Sequence, residues 1–292
     1  VSLAVGRSEV LGLVGESGCG KTTLGWMLLR LQTADAGSLR FGGEAVPDTP
    51  DQRFRRQAQI VLQNPDTALN PRHRVDTILR RPLQHFGIAR GAAAGREIAR
   101  LLALVRLPAE YAARYPHQLS GGEKQRVGIA RALASQPDFL VCDEAVSALD
   151  VSVQAATLNL LAELRQTLGL SMLFISHDIA VVGYLADRVA VMYGGVVMEM
   201  GPAAAVLRPP YHPYTEALLS AVPVVGRRAG RVRLRGEPGD VPPGEGCRFA
   251  ARCHRHLGPI CNEPPPWRRL GEGHGARCHI PAPELAALET VA

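Results

Sequence analysis

The sequence predicts an α/β fold with a mostly parallel sheet, and three observations carry that expectation. Short apolar segments of strand character alternate with helical segments along residues 1–200. One of the first junctions between strand and helix is a glycine-rich turn. Composition then shifts near Gly201, after which prolines crowd in and cysteines gather. The expected organisation is a core domain over 1–200 and a C-terminal extension over 201–292.

Taken in order, Glu9–Val14 reads as a short apolar strand and Gly15–Lys21 as a glycine-rich turn. A helix is expected from about Thr22 to Leu31, because Leu24, Met27, Leu28 and Leu31 fall on one helical face. Gln59–Gln63 is a second apolar strand, stopped by Asn64-Pro65. From Val75 to Leu107 the pattern is helical and rich in Ala, Leu and Arg, the first part of an inserted helical lobe over about 75–134. Phe139–Cys142 is a buried strand, Val153–Leu168 a helix and Ser171–Ser176 a further core strand. Arg188–Tyr193 and Val196–Met200 flank Gly194-Gly195 and read as a hairpin. The sequence opens on Val1, and its first residues read as the end of a strand already under way, as in a fragment, a processed product or a misplaced start.

Hydrophobic residues are 46% and charged residues 21% of the 292, an ordinary balance for a soluble globular protein. No stretch approaches the roughly 18 uninterrupted apolar residues of a membrane span. Val1–Val14 lacks the basic and apolar segments of a signal peptide. A cytosolic protein with reduced thiols is expected. The net charge of +6 is mildly basic, but no nucleic-acid motif or aromatic-interleaved basic patch accompanies it, so no nucleic-acid partner is expected.

Gly15-Glu16-Ser17-Gly18-Cys19-Gly20-Lys21-Thr22 fits the pattern G-x-x-x-x-G-K-[ST]. Gly15, Gly18 and Gly20 let the backbone wrap phosphates with its N–H groups pointing inward. The helix that follows presents its positive dipole end to the same anion. Lys21 is placed to contact the β- and γ-phosphates of ATP, Thr22 to hold Mg²⁺ through its hydroxyl, and Thr23 belongs to the same nucleotide-binding set. Cys19 occupies a free position of the loop as a small side chain.

The apolar run Phe139–Cys142 ends in Asp143-Glu144. Alone, that pattern fits an ordinary strand end as readily as a site. Behind a phosphate loop, Asp143 is placed to hold Mg²⁺ and Glu144 to polarise the attacking water as general base. His177 follows a core strand, on the ligand face of such a sheet, within reach of the γ-phosphate and the water. In isolation it would read as a surface histidine. Gln63, also at a strand end, is a candidate for the metal shell and a γ-phosphate sensor.

Leu119-Ser120-Gly121-Gly122-Glu123-Lys124-Gln125-Arg126 resembles the signature of ABC ATPases. The phosphate loop, Gln63, the signature, Asp143-Glu144, Ser147–Asp150 and His177 occur in that family's order. The resemblance implies a P-loop NTPase (RecA-like) core with the signature lobe inserted, and an antiparallel portion cut short. It also implies that Ser120, Gly121 and Gly122 cap the ATP held by a second ABC subunit. Gln63-Asn64-Pro65, Leu69–Arg72, Tyr115–Leu119, Val146–Ser152, His212–Thr215 and Ala217–Pro223 narrow the likeness to the ATP-binding subunits of oligopeptide, dipeptide and nickel importers. The implied activity is ATP hydrolysis driving peptide uptake, with two permease subunits and an external binding protein, at the cytoplasmic face of the inner membrane. A soluble ABC ATPase acting on nucleic acid or ribosomes is the alternative, and a subunit that binds ATP without turnover is a third reading. Glu123-Lys124 and Ala145 depart from the family pattern, and the family's adenine-stacking aromatic lies before the first strand, outside this sequence.

Cys247, Cys253, Cys261 and Cys278 are spaced C-x5-C-x7-C-x16-C, without the C-x2-C pair of common zinc ribbons. In a reduced compartment such spacing suggests metal rather than disulfides. The family resemblance implies a [4Fe–4S] cluster; Zn²⁺ and free structural thiols remain open. His254, His256, His274 and His279 are possible substitute ligands.

Overall fold

The computed structural model describes residues 1–209, 211–222, 232, 234, 236 and 244–287. The described chain forms two compact units. The first comprises Val1–Val5, Val10–Thr22 and Phe174–Ala292; the second comprises Gly6–Glu9 and Thr23–Leu173. Pro210 and Pro223, which belong to the proline-rich shift and the importer-like motif, lie outside the described residues.

In the first unit, strand Val10–Val14 is buried along its whole length and pairs in parallel with Arg188–Tyr193. Gly12 is required there, since a Cβ would run into the Val182 side chain of helix Ile179–Leu185. Arg188–Tyr193 turns through Gly194-Gly195, both at positive φ, into Val196–Pro202 as the expected hairpin. The far side of Val196–Pro202 pairs with His274–Arg277, with Ala276 opposite Glu199 and Gly275 opposite Met200. His274–Arg277 in turn pairs with Trp267–Gly271. Gly201 therefore lies inside a strand, and the C-terminal segment contributes two further strands to the sheet.

In the second unit, Ala58–Val61 and Phe139–Asp143 run parallel, with Val61 opposite Cys142. A short antiparallel ladder joins Arg40–Phe41 to Glu44–Ala45. The helical stretch expected from Val75 to Leu107 is instead two helices, Val75–His85 and Gly91–Leu104. Pro82 cannot donate its backbone amide, and Gly87 at φ +67° carries the turn between them. Helix Val151–Leu168 starts on Asp150, whose carboxylate accepts from Val153 N at 3.0 Å, and stops at Gly169 in the left-handed region.

Several expected boundaries move. The helix after the loop is Lys21–Leu28, not Thr22–Leu31, because Arg30 adopts a positive φ and ends it. The opening residues form no strand; Gly6–Glu9 close a turn in which the Glu9 amide donates to the Gly6 carbonyl. No described helix is long and apolar enough to cross a membrane.

Candidate active site

The phosphate loop leaves the buried strand Val10–Val14 at Gly15. A Cβ at Gly15 would collide with the Met192 carbonyl oxygen and crowd Cys19 Sγ, so only glycine fits. Gly18 and Gly20 lie at φ +79° and +99°, a region that disfavours other residues. Lys21 is buried, and its Nζ donates to the carbonyls of Gly15 at 2.7 Å and Glu16 at 2.9 Å. Its ammonium is thereby held inside the curve of the loop. Thr22 is half-buried at the start of the helix and Thr23 is exposed. Cys19 is buried, and burial pushes its thiol up, which keeps it a neutral filler. In the same unit, His177 stands exposed one residue beyond strand Ser171–Ser176, followed by Asp178, whose carboxylate caps helix Ile179–Leu185.

Glu16 is a residue that sequence reasoning missed. Its amide donates to Tyr214 Oη at 2.8 Å and its carboxylate accepts from Arg252 Nη1 at 2.5 Å. The Arg252 side chain is 5% exposed and that of Glu16 21%, so the guanidinium end of the pair is shielded from solvent. Burial works against the guanidinium's charge, but hydrogen bonds to Glu16 and Tyr193 more than offset it and hold the group above its ordinary value. Tyr193 packs edge to face on both Tyr214 and Phe249, and Tyr214 lies tilted on Phe249, with centroids 4.9–5.3 Å apart.

The second unit brings Gln63 and Glu144 together, and the strand register explains how. Val61 and Cys142 are opposite each other, so the residues two positions further on leave neighbouring strand ends side by side. Gln63 Nε2 donates to Glu144 Oε2 at 3.1 Å. Ser147 Oγ donates to the Glu144 carbonyl at 3.0 Å. Asp143 is buried at the strand end, 5% exposed. Glu144 has φ +46°, a strained conformation for a residue with a Cβ. A groove of about 500 Å³ opens beside it, lined by Gln63, Asn64, Pro65, Gly121, Gln125 and Ala145.

Ser120 heads helix Gly121–Leu133 in a capping box: its Oγ accepts from Glu123 N at 3.4 Å while Glu123 Oε2 accepts from Ser120 N at 2.7 Å. The Glu123 departure from the family pattern is thus the capping acid. Hydrogen bonds from Tyr111 and then from Ser120 hold its carboxyl below the usual range. Lys124 pairs with Asp66 at 2.7 Å, tying the signature helix to the segment after Gln63. A Cβ at Gly122 would press on Val153. Ala145 is buried.

The four tail cysteines, Cys247, Cys253, Cys261 and Cys278, line one small cavity of about 20 Å³, with His212 and His279 on its wall. All four are free thiols. Burial pushes Cys253 up to about 12 and Cys278 to about 11, and the neighbouring cysteines add to both. Among the described residues, no group of three or more His, Cys, Asp or Glu side chains is placed to hold a metal ion. The donor set is that of a four-thiolate centre. His254 and His274 are engaged elsewhere, on Glu216 at 2.8 Å and Glu199 at 2.7 Å. Glu199, fully buried, also accepts from the His212 amide at 2.9 Å and from Thr215 Oγ1. A lone acid inside the apolar run Val196–Met200 was the sequence signal for it.

A glycine loop around a buried lysine, an acid pair at a strand end and a capped serine–glycine helix start together define an ABC-type nucleotide-hydrolysing subunit. Comparison with known proteins agrees. The model of the ABC transporter family matches residues 1–147, and that of the oligopeptide/dipeptide transporter C-terminal region matches 198–261. A protein of Brucella abortus (strain 2308), provisionally named a peptide import ATP-binding protein, is 45% identical over 96% of this chain and 85% of its own length. One of Brucella ovis with the same provisional name is 45% identical over 95% and 90%. Among solved structures, CbiO1 of Clostridium perfringens, part of the ABC transporter complex CbiONQ, has 25% identity and a TM-score of 0.63, covering 70% of this chain and 80% of that one. The ATP-binding cassette MJ0796, solved as a dimer in a post-hydrolysis state with ADP and Pi, has 27% identity and a TM-score of 0.61, covering 69% and 88%. The chain belongs to the ABC transporter ATP-binding family, with the P-loop NTPase core of that family, and is an ATPase subunit of an ABC complex.

Proposed function

We propose that this chain powers peptide import across the inner membrane, working at its cytoplasmic face with two permease subunits, an external binding protein and a second ATPase subunit. The observation that carries this reading is the match of residues 198–261 to the oligopeptide/dipeptide transporter C-terminal region, in a chain 45% identical over 96% of its length to a relative named for peptide import. In it, residues 1–200 are the ATPase domain and 201–292 an importer-type extension.

The residues divide the work as follows. The backbone of Gly15, Gly18 and Gly20 cradles the phosphates, and Lys21, already turned into the loop, meets the β- and γ-phosphates. Glu144 takes the proton of the attacking water. The Gln63 amide, donating to Glu144 at 3.1 Å, orients that carboxylate and responds to the γ-phosphate. His177 holds the γ-phosphate and the water. Ser120, Gly121 and Gly122 offer a capped helix start to the nucleotide of a second subunit. Thr22, Gln63 and Asp143 would hold Mg²⁺, which neutralises charge on the phosphates; the carboxylate of Asp143 at a strand end suits that ion.

In the extension, Cys247, Cys253, Cys261 and Cys278 would hold a [4Fe–4S] cluster, with zinc the competing occupant. Support comes from the four thiols lining one cavity. The group would act as a staple for a segment with little core of its own.

The test is reconstitution of the chain with its permease partners in liposomes. ATP hydrolysis that rises with a loaded peptide-binding protein, together with peptide uptake, is the expected result. Hydrolysis stimulated by nucleic acid or ribosomes, with no uptake, would refute the reading.

A further inference from the structure

Glu16 occupies the first variable position of the phosphate loop, and three anchors converge on it. Its carbonyl accepts from Lys21 Nζ at 2.9 Å, which ties Glu16 to the side chain that meets the phosphates. Its amide donates to Tyr214 Oη at 2.8 Å. Its carboxylate accepts from Arg252 at 2.5 Å. Two of the three anchors come from the C-terminal segment. Tyr214 lies on helix Pro213–Ser220 and Arg252 ends the turn Ala250–Arg252, immediately before Cys253.

That turn is bound into the cysteine segment by its own backbone. The Ala250 amide donates to Cys247 O at 2.9 Å, the Cys253 amide to Ala250 O at 3.2 Å, and the Cys247 amide to Cys261 O at 3.0 Å. A rearrangement of the cysteine segment therefore displaces the guanidinium. Electrostatics gives the contact a consequence for nucleotide. A carboxylate on an anion-binding loop opposes phosphate unless a cation neutralises it, and with Glu16 half-buried against a buried Arg252 that repulsion is only partly screened.

We propose that Arg252 and Tyr214 are positioning residues of the phosphate loop, through which the cysteine-lined tail sets its affinity for nucleotide. Arg252 neutralises and fixes the Glu16 carboxylate; Tyr214 fixes the Glu16 amide; together they hold the carbonyl that aims Lys21. The proposal rests on the ATPase identity of the chain and holds whatever the transported substrate is and whether or not the cysteines carry metal.

The experiment measures ATP binding by calorimetry on the full chain, and KM and kcat of its ATPase. Arg252→Met is expected to raise the Kd for ATP and the KM about tenfold, with kcat little changed, because an uncompensated carboxylate is left on the phosphate loop. Adding Glu16→Gln to Arg252→Met should recover most of that loss. Tyr214→Phe should weaken binding about threefold, the worth of one hydrogen bond. Cys253→Ser should weaken ATP binding in the parent but not further in the Arg252→Met background. If Arg252→Met fails to fold, Arg252→Lys and Tyr214→Phe carry the test, each expected to raise KM by about threefold. ATP affinity within twofold of the parent in every folded variant, with the tail more open to protease, would show that the pair only fastens the tail and would overturn the proposal. A double variant as weak as Arg252→Met would equally overturn the charge argument.

Discussion

Glu144→Gln tests the assignment of the general base most directly, and the structure fixes what else the change disturbs. Glutamine keeps the shape of glutamate, so the Cβ at φ +46° meets the same strain in both. Its side-chain oxygen can accept from Gln63 Nε2 as Glu144 Oε2 does at 3.1 Å, so the ground-state cost is at most about 1 kcal/mol. What is lost is the ability to take a proton from water. A positioned base contributes about 10²- to 10⁴-fold, or roughly 2.7–5.5 kcal/mol of barrier. The expected outcome is a kcat lower by that factor with ATP affinity within a fewfold of the parent. Phosphate release by the assembled transporter at saturating ATP measures the first, and equilibrium binding of ATP the second. A hydrolysis rate within threefold of the parent would falsify the role of Glu144. A fall in rate accompanied by equal loss of ATP binding would point to collapse of the strand end instead.

Other perturbations give equally definite expectations. Gly15→Ala forces a methyl group onto the Met192 carbonyl, and should cost about 1–3 kcal/mol of stability in a denaturant titration as well as nucleotide binding. Burial drives His212 down to about 3, and its neutral Nδ1 accepts from the Tyr214 amide at 3.0 Å. The unfolded chain binds the proton near pH 6.5, so stability should fall as pH drops from there toward 3, by up to about 1.4 kcal/mol per unit. His212→Asn keeps a capping acceptor and should show a shallower pH slope than the parent when denaturation midpoints are compared. Anaerobically purified protein should be brown, with iron and sulfide in equal amounts, and Cys→Ser at position 247, 253, 261 or 278 should bleach it. A colourless protein with one zinc per chain would select the competing occupant.

The parts of the site legible in the sequence are those that one short segment builds alone. Gly15–Thr22 dictates its own curvature, because the glycines carry the positive φ values and Lys21 folds back only five or six residues. Ser120 and Glu123 cap their own helix, and the acid was legible as a departure before its purpose was. Gln63 and Glu144 required a parallel register that residue pattern suggests but does not state. The Glu16–Arg252 pair spans 236 residues and has no periodicity to betray it. The strands Trp267–Gly271 and His274–Arg277 were missed because glycine and arginine fill positions where alternating apolar residues would mark a strand. The break between Val75–His85 and Gly91–Leu104 was marked by Pro82 and Gly87, but the Ala- and Leu-rich pattern on either side outweighed them.

The pairing of His274–Arg277 with Val196–Pro202 has a consequence for how the chain tolerates cutting. A strand with one unpaired side displays a row of open amides and carbonyls, and these template aggregation with any neighbour that offers the same. Here that side is closed by the chain's own C-terminal residues, and the outermost ribbon, Trp267–Gly271, carries Arg268 and Arg269, charges that discourage further stacking. Trimming the protein to its nucleotide-binding residues would expose an apolar ribbon that includes Val197 and Met198, both buried in the intact chain. A shortened form should therefore precipitate more readily than the intact chain.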